Sequence, residues 1–165
     1  MPQISTNREP PEVPNHRLVR IIGRGAYGVI WIAHSATGTL RAVKIVRRAN
    51  FDSERAFERE FEGMAKFEPI SREHDGFVDI LHVGHDPNRE FFYYVMELAD
   101  DASGAPAEPE YYEPKTLKSE LQRRARLMAD ECITLGLSLT DGLAALHRHG
   151  LVHRDIKPAN IIFVG

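Results

Sequence analysis

The sequence has 165 residues, of which 42% are hydrophobic and 27% are charged, a composition typical of one globular domain. Its formal net charge of −3 excludes an overall basic field that would attract nucleic acid, so we predict no nucleic-acid partner. The single cysteine, Cys132, excludes an internal disulfide and a cysteine-based zinc site, and it fits the reducing cytoplasm, which is the predicted location.

The histidines and the N-terminal residues predict neither a metal site nor a targeting signal. His82 with His85, and His147 with His149, lack the spacing and the carboxylate company of a zinc motif. We find no signal peptide and no run of eighteen apolar residues, so no membrane segment is predicted. Residues 1–14 contain four prolines and few apolar residues, which predicts a flexible leader.

Three short runs rich in β-formers follow from His16 and predict an antiparallel meander over residues 18–22, 29–33 and 40–46. The turn between the first two runs has the pattern Gly-x-Gly-x-x-Gly-x-Val, and its glycines are Gly23, Gly25 and Gly28. Glycines at this spacing let the backbone approach a polyphosphate and offer its N–H groups. A dinucleotide-binding loop has the same glycines but must open a helix, whereas the residues that follow here predict a strand.

The third run predicts a cation on a strand beside this glycine loop. Strand alternation places Ala42 and Lys44 on one face and Val43 and Ile45 on the other. Taken alone, the pattern fits a half-exposed strand whose lysine reaches solvent. The neighbouring glycine loop favours the other interpretation, in which Ala42 and Lys44 face a ligand cleft.

A helix and two further strands complete the predicted upper half of the chain. Residues 53–67 predict a helix with Ser53 as N-cap and an apolar stripe. Residues 77–83 and 91–98 predict strands joined by a turn at 86–88. The stripe of the helix consists of Phe57, Phe61, Met64 and Phe67.

The following segment predicts a loop and then two helices. Residues 100–116 carry three prolines and five acids, which predicts a loop or insertion, and residues 117–126 predict a short helix. Apolar residues at 132, 135, 139, 143 and 146 mark one helical face within residues 130–149. Alternation at 133, 135, 137 and 139 fits a strand instead, but the length of the segment and Gly150 as a stop favour the helix.

The last segment brings an acid, a cation and an amide into one short loop. Asp155 can accept a proton from an attacking alcohol, Lys157 can neutralise a phosphoryl group, and Asn160 offers a carbonyl oxygen to Mg2+. A surface turn with the same residue types is the alternative. The apolar run at residues 161–163 predicts a buried strand.

These motifs, in this order, resemble the eukaryotic-type protein kinases, whose catalytic loop reads His-Arg-Asp, four residues, Asn. The lysine at position 157 followed by Pro158 is typical of the Ser/Thr branch. The resemblance covers nearly all of residues 16–163 and implies an α+β, protein-kinase-like fold with a five-stranded antiparallel N-lobe plus one helix. It divides the chain into an N-lobe and hinge (15–99), the insertion (100–116) and the beginning of a helical C-lobe (117–165).

The resemblance implies an ATP- and Mg2+-dependent Ser/Thr protein kinase whose partner is a protein with a Ser or Thr hydroxyl. Lys44 would contact the α- and β-phosphates and pair with a glutamate of the helix, for which Glu60 is preferred over Glu58 and Glu62 because Met64 follows one turn later. Asp155 and Lys157 would act in catalysis. Asn160 would bind the metal. The implied nucleotide contacts are Gly23, Gly25, Gly28, Val29, Ala42, Lys44, Met96, Glu97 and Ala99.

A non-catalytic nucleotide-binding or interaction module derived from a kinase is the alternative, and the presence of Lys44, Asp155, Lys157 and Asn160 together favours the enzyme. The sequence ends before the Asp-Phe-Gly segment whose aspartate holds Mg2+ in the family. We therefore expect little or no kinase activity from the 165-residue chain, and we expect a longer product to regain it.

Overall fold

The computed structural model describes residues 10–25 and 27–165, so most of the predicted leader and Ala26 of the glycine loop lie outside the described residues. The strands are β1 (His16–Arg24), β2 (Gly28–Ser35), β3 (Leu40–Arg47), β4 (Ile80–His85) and β5 (Phe91–Met96). The α-helices are α1 (Glu54–Ser71), α2 (Leu117–Arg124) and α3 (Ala129–Arg148), with short 3-10 turns at Arg48–Asn50 and Pro158–Asn160. Within the described residues, no helix is both long and apolar enough to cross a membrane.

The five strands form one antiparallel sheet in the order β1-β2-β3-β5-β4, as the predicted five-stranded N-lobe requires. Short turns join β1 to β2 and β2 to β3, whereas α1 stands between β3 and β4 in the chain. Strand β5 therefore lies between β3 and β4, and it places Tyr94 opposite Lys44 and Met96 opposite Ala42.

The two faces of the sheet bury different clusters, and the alternation predicted for β3 is confirmed. Val43 and Ile45 are fully buried on one face, in a cluster that includes Val13 from the segment predicted as leader. Val46 points to the other face, where Phe57 of α1 and Phe92 of β5 are almost fully buried. Removing a phenylalanine side chain of this size from water contributes about 1.5–3 kcal/mol, so packing against β3 and β5 holds α1 on the cleft-side face.

Helix α1 begins as predicted but ends later. The Ser53 hydroxyl accepts a hydrogen bond from the Ala56 N–H at 3.2 Å, which confirms the N-cap. The predicted end at Phe67 is wrong, because the helix continues through Pro69 to Ser71. Ser71 is fully buried, and its hydroxyl donates to the Glu68 carbonyl at 2.7 Å and accepts from the Ile80 N–H at 2.9 Å. These bonds to the last turn and to β4 offset the hydrogen bond that the proline lacks.

The fourth and fifth strands differ from their predicted ends. Residues 77–79, predicted as strand, precede β4; the Phe77 N–H donates to the His74 carbonyl at 3.0 Å, and the Phe77 ring packs on Phe67 at 5.4 Å. Strand β5 ends at Met96 rather than at residue 98. Beyond Met96, a hydrogen bond of 3.1 Å from the Glu97 N–H to the Asp79 carbonyl takes the place of the regular hydrogen bonds between strands.

The helices of the lower part lie close to their predicted bounds. Ala125, with φ 62°, ends α2 two residues before the predicted end, and Gly150, with φ 72°, follows α3 as the predicted stop. The predicted inward face of α3 is half-buried or buried apart from Cys132, which is exposed.

The apolar run after the catalytic loop is not the buried strand that the sequence predicts. It is half-buried and makes one isolated bridge, between Thr116 and Ile162. Two backbone hydrogen bonds hold it: Leu117 N–H to the Ile161 carbonyl at 2.8 Å and Phe163 N–H to the Lys115 carbonyl at 3.0 Å. The partner segment enters α2 at Leu117, so the pairing ends there.

Candidate active site

The glycine loop joins β1 to β2, and its glycines serve different needs. A Cβ at Gly28 would collide with the Ile45 carbonyl oxygen of β3, so close strand pairing itself requires glycine there. A Cβ at Gly25 would meet only the Gly28 oxygen at 3.9 Å, and one at Gly23 would make ordinary contacts with Ile30. The loop closes through a hydrogen bond of 2.9 Å from the Gly25 N–H to the Gly28 carbonyl.

The Lys44 side chain extends from β3 into the face of the sheet that α1 covers, beside the buried Ala42. Its Nζ lies 5.5 Å from the centroid of the Tyr94 ring. Burial lowers the pKa of Lys44, but the Tyr94 side chain and then the carboxylates of Glu60 and Asp155 raise it, and the net shift is upward. Lys44 is therefore a cation within the electrostatic reach of both α1 and the catalytic loop.

Glu60 is exposed on α1, and no ion pair within 4.0 Å joins it to Lys44 in the described part of the chain. Its influence on Lys44 is Coulombic and ranks below that of Tyr94. Of the other two glutamates considered, Glu58 is engaged with Arg89 at 3.6 Å, and Glu62 is exposed. The predicted pairing of Lys44 with Glu60 remains a prediction.

The segment after β5 connects the sheet to the lower part of the chain, and Met96 before it pairs with Ala42 of β3. Met96 and Glu97 are half-buried and Ala99 is 7% exposed. The Glu97 side chain accepts from the Asp79 N–H at 2.9 Å, which fixes the start of the segment. Val29, half-buried at the entrance to β2, pairs with Ile45 of β3.

The loop at residues 153–160, predicted as the catalytic loop, brings its three predicted side chains together. The Asp155 carboxylate accepts from Lys157 Nζ at 2.9 Å and from Asn160 Nδ2 at 2.8 Å, and the same amide donates to the Asp155 carbonyl at 2.8 Å. The hydrogen bonds from Lys157 and then Asn160 hold the pKa of Asp155 below its ordinary value. Arg154 adopts a left-handed conformation with φ 65°, a strained geometry that recurs at functional turns.

The chain also matches a family model described as protein kinase domain, over residues 16–165. It belongs to the protein kinase domain family. The five-stranded sheet with α1 corresponds to the N-lobe of the kinase fold, and the helices that follow it belong to a partial C-lobe.

Named relatives of this kinase domain are serine/threonine-protein kinases. A probable serine/threonine-protein kinase of Thermomonospora curvata, PkwA, is 32% identical over 157 residues, covering 93% of this chain and 18% of that protein. A probable serine/threonine-protein kinase of Lactococcus lactis, PknB, is 29% identical over 152 residues, covering 89% of this chain and 21% of that protein. The serine/threonine-protein kinase PknA of Corynebacterium glutamicum is 29% identical over 150 residues, covering 90% and 29% respectively. The chain thus spans less than a third of the length of these relatives.

The oxygen donors of the kinase domain fit Mg2+ as a partial ligand set. In the described residues the amide nitrogen of Asn160 is hydrogen-bonded to Asp155, and its carbonyl oxygen takes part in no hydrogen bond. No group of three His, Cys, Asp or Glu residues is arranged around a metal position in residues 10–25 and 27–165. Mg2+ commonly takes only one or two protein oxygens and completes its shell with waters and phosphate oxygens, so this sparse donor set is compatible with it.

Two residues of the kinase domain were not predicted to belong to the site. Tyr94 contacts Lys44 because the two residues are cross-strand neighbours on β3 and β5. A prediction of this strand pairing would have identified Tyr94 as a neighbour of the site. Tyr112 lies in the insertion, and its hydroxyl donates to the Ala99 carbonyl at 3.0 Å. A single buried tyrosine among prolines and acids gives no periodic signal from which this contact could be predicted.

Proposed function

We propose that this chain carries the ATP-binding and catalytic-loop parts of a Ser/Thr protein kinase, which transfers the γ-phosphoryl group of ATP to a hydroxyl of a protein substrate. One observation carries the proposal: the Asp155 carboxylate accepts hydrogen bonds from both Lys157 and Asn160, so a carboxylate, an ammonium and an amide meet in one short loop. The Asp155 carboxylate also contributes to the raised pKa of Lys44, which supports a site shared with β3. The single free cysteine fits the proposed cytoplasmic location.

The chain's own residues would divide the work between the two sides of the cleft. Lys44, a cation by virtue of its raised pKa, would bind the nucleotide phosphates, with Glu60 approaching it when the cleft is occupied. The glycine loop would cover the phosphates through its backbone, and Val29, Ala42 and Met96 would contact the base. When bound, Mg2+ supplies charge neutralisation at the β- and γ-phosphates, and the Asn160 carbonyl oxygen would hold it.

Asp155 would orient the substrate hydroxyl and accept its proton. The carboxylate, whose pKa lies below its ordinary value, is ionised at neutral pH, and the Asn160 hydrogen bonds fix its orientation. Lys157, whose ammonium lies 2.9 Å from Asp155, would stabilise charge on the transferred group while leaving the carboxylate ionised. The lysine beside the base supports serine and threonine as acceptors through the resemblance to that branch of the family.

The test is phosphoryl transfer from γ-labelled ATP to Ser- and Thr-containing peptides with enzyme in excess of peptide. We expect little or no transfer by the 165-residue chain and faster transfer by any product that continues past Gly165 into the family's next metal-binding segment. In that longer product, Asp155→Asn should lower the rate by about 10²–10⁴, the usual contribution of a general base, whereas Asp75→Asn should not. Equal rates for wild type and Asp155→Asn would contradict the proposed role of this loop.

A further inference from the structure

The insertion at residues 100–116 is a folded strap rather than an open loop. Its two ends pair through a bridge between Asp101 and Pro114, and the Lys115 N–H donates to the Asp100 carbonyl at 2.9 Å. Tyr112, near its C-terminal end, is only 1% exposed, although its neighbour Tyr111 is 80% exposed. The strap therefore buries one large side chain against the hinge that connects the two lobes.

Arg20 of β1 holds the strap from the N-lobe side. Its Nε donates to the Pro109 carbonyl at 2.7 Å, and its Nη2 donates to the Tyr112 carbonyl. The planar guanidinium can serve two carbonyls at once, which a lysine cannot do with the same geometry. The buried ring of Tyr112 is thus fixed by its own packing and by its backbone.

The Tyr112 hydroxyl holds one peptide of the hinge, the Ala99–Asp100 peptide, in place. It donates to the Ala99 carbonyl at 3.0 Å, and the N–H of the same peptide, that of Asp100, donates to the Phe163 carbonyl at 2.9 Å. The Tyr112 hydroxyl is protonated and can donate at neutral pH, and burial, followed by the charges of Asp101 and Asp100, raises its pKa further above the ordinary value.

The preceding peptide of the hinge, between Leu98 and Ala99, offers its N–H to a ligand. Within the described residues the N–H of Ala99 takes part in no hydrogen bond, and the residue as a whole is 7% exposed. Backbone N–H groups of folded proteins are usually paired, and a bound acceptor would satisfy this one. A ring nitrogen of a purine is an acceptor of this kind.

We propose that Tyr112, supported by Arg20, is a positioning residue that fixes the Ala99–Asp100 peptide and thereby keeps the Ala99 N–H available to the purine of the nucleotide. The inference rests on the proposed ATP binding and adds to it a role for the strap. The strap acts on the base end of the nucleotide, whereas Lys44 acts on the phosphate end.

The first test measures binding of adenosine, Mg–ATP and Mg–tripolyphosphate by calorimetry. Adenosine reports on the base end of the nucleotide, and tripolyphosphate reports on the phosphate end. Tyr112→Phe, which removes only the hydroxyl, should weaken adenosine and ATP about two- to tenfold, the effect of one hydrogen bond, and leave tripolyphosphate unchanged. Tyr111→Phe is the matched control and should bind all three ligands like wild type. Lys44→Ala should weaken ATP and tripolyphosphate but not adenosine.

The outcomes distinguish the two proposals. Unchanged adenosine affinity in Tyr112→Phe overturns the positioning role while leaving ATP binding intact. Equal weakening of adenosine and tripolyphosphate also overturns it, because a general loss of structure would act on both. Absence of any nucleotide binding by wild type overturns the proposed function and the nucleotide part of this inference together.

Hydrogen exchange in the free protein tests, without any ligand, whether the strap holds the Ala99–Asp100 peptide in place. Tyr112→Phe and Arg20→Lys should each speed exchange of the Asp100 amide several-fold, while amides of β3 and β5 exchange as in wild type. Arg17→Lys, at an exposed position on the same strand, is the control. Unchanged exchange at Asp100 in both variants would show that the strap does not fix this peptide.

Discussion

Two exposed or half-exposed carboxylates have pKa values below their ordinary range for different reasons. Asp155 is surrounded by side chains of its own loop, Lys157 and Asn160, which a ligand could displace. The Glu131 carboxylate instead accepts hydrogen bonds from Nη1 and Nη2 of Arg124, at 2.7 and 2.6 Å. It also accepts a hydrogen bond from the Met128 N–H at the start of α3. The first arrangement fits a reacting group, and the second fits a structural joint between α2 and α3.

The Glu131 joint predicts a pH-dependent contribution to stability. The Arg124 hydrogen bonds and then the Met128 N–H lower the pKa of Glu131 from 4.5 to about 2 in the folded chain. A carboxylate whose pKa is lower in the folded than in the unfolded chain stabilises the folded state at pH values above its unfolded pKa. For Glu131 this stabilisation is lost as the pH falls from about 4.5 towards about 2. Glu131→Gln should therefore unfold at lower urea concentration than wild type at pH 7, and the difference should shrink by pH 3.

Urea denaturation at several pH values checks this expectation. Glu62→Gln, on an exposed position of α1, is the control and should follow the wild-type pH profile. A difference between wild type and Glu131→Gln that is as large at pH 3 as at pH 7 would contradict the assignment.

At the scale of elements, the bounds that depend on local signals were predicted, whereas bounds that depend on contacts between distant residues were not. The N-cap at Ser53 and the alternation of β3 depend on neighbouring residues, and both are confirmed. The end of α1 depends on hydrogen bonds between Ser71 and Ile80, and the start of β4 depends on how Phe77 packs against α1. These contacts join residues whose pairing the sequence does not display.

The same distinction holds for the candidate site. The catalytic loop was predictable because Asp155, Lys157 and Asn160 lie within one short loop whose geometry is local. The strap is predicted only as a loop, since its contacts with Arg20 of β1 span about ninety residues of chain and its contact with the hinge depends on the single side chain of Tyr112. Long-range contacts of this kind leave no periodic pattern.

The β2–β3 pair predicts a sharp difference between two glycines of the same loop. Gly28→Ala should destabilise the domain by about 1–3 kcal/mol, because its Cβ would meet the rigid backbone carbonyl of Ile45. Gly25→Ala has open space and should change the unfolding free energy by less than about 0.5 kcal/mol. Chemical denaturation of both variants measures the difference. Equal unfolding free energies for the two variants would mean that β2 and β3 move apart more easily than the close approach of Gly28 to the Ile45 carbonyl implies.

At the scale of the whole molecule, α3 leaves apolar side chains in contact with solvent. Met128 is 62% exposed, and Ile133 and Leu137, one turn apart, are 63% and 68% exposed. Exposed apolar surface of this kind favours association between molecules. We therefore expect the purified 165-residue chain to self-associate at micromolar concentrations.

Sedimentation velocity tests this expectation. Replacing Ile133 and Leu137 together by lysine should shift the chain towards monomer, whereas Leu81→Lys, at another exposed apolar position on β4, should shift it less. A monodisperse wild-type monomer with strong amide protection along α3 would contradict the prediction.

The glycine loop, Lys44 and the hinge together form the proposed binding site for ATP with Mg2+. Lys44 places a cation in a partly buried site, and its loss should remove charge-assisted hydrogen bonds to phosphate, each contributing about 1.5–3 kcal/mol. Calorimetric titration of Mg–ATP into wild type and Lys44→Ala is the direct measurement, with Lys118→Ala on the exposed face of α2 as control. We predict measurable binding to wild type and Lys118→Ala, and affinity lower by about tenfold or more in Lys44→Ala. Equal affinity in wild type and Lys44→Ala would contradict the site assignment, and no binding to any of the three would contradict the proposed function.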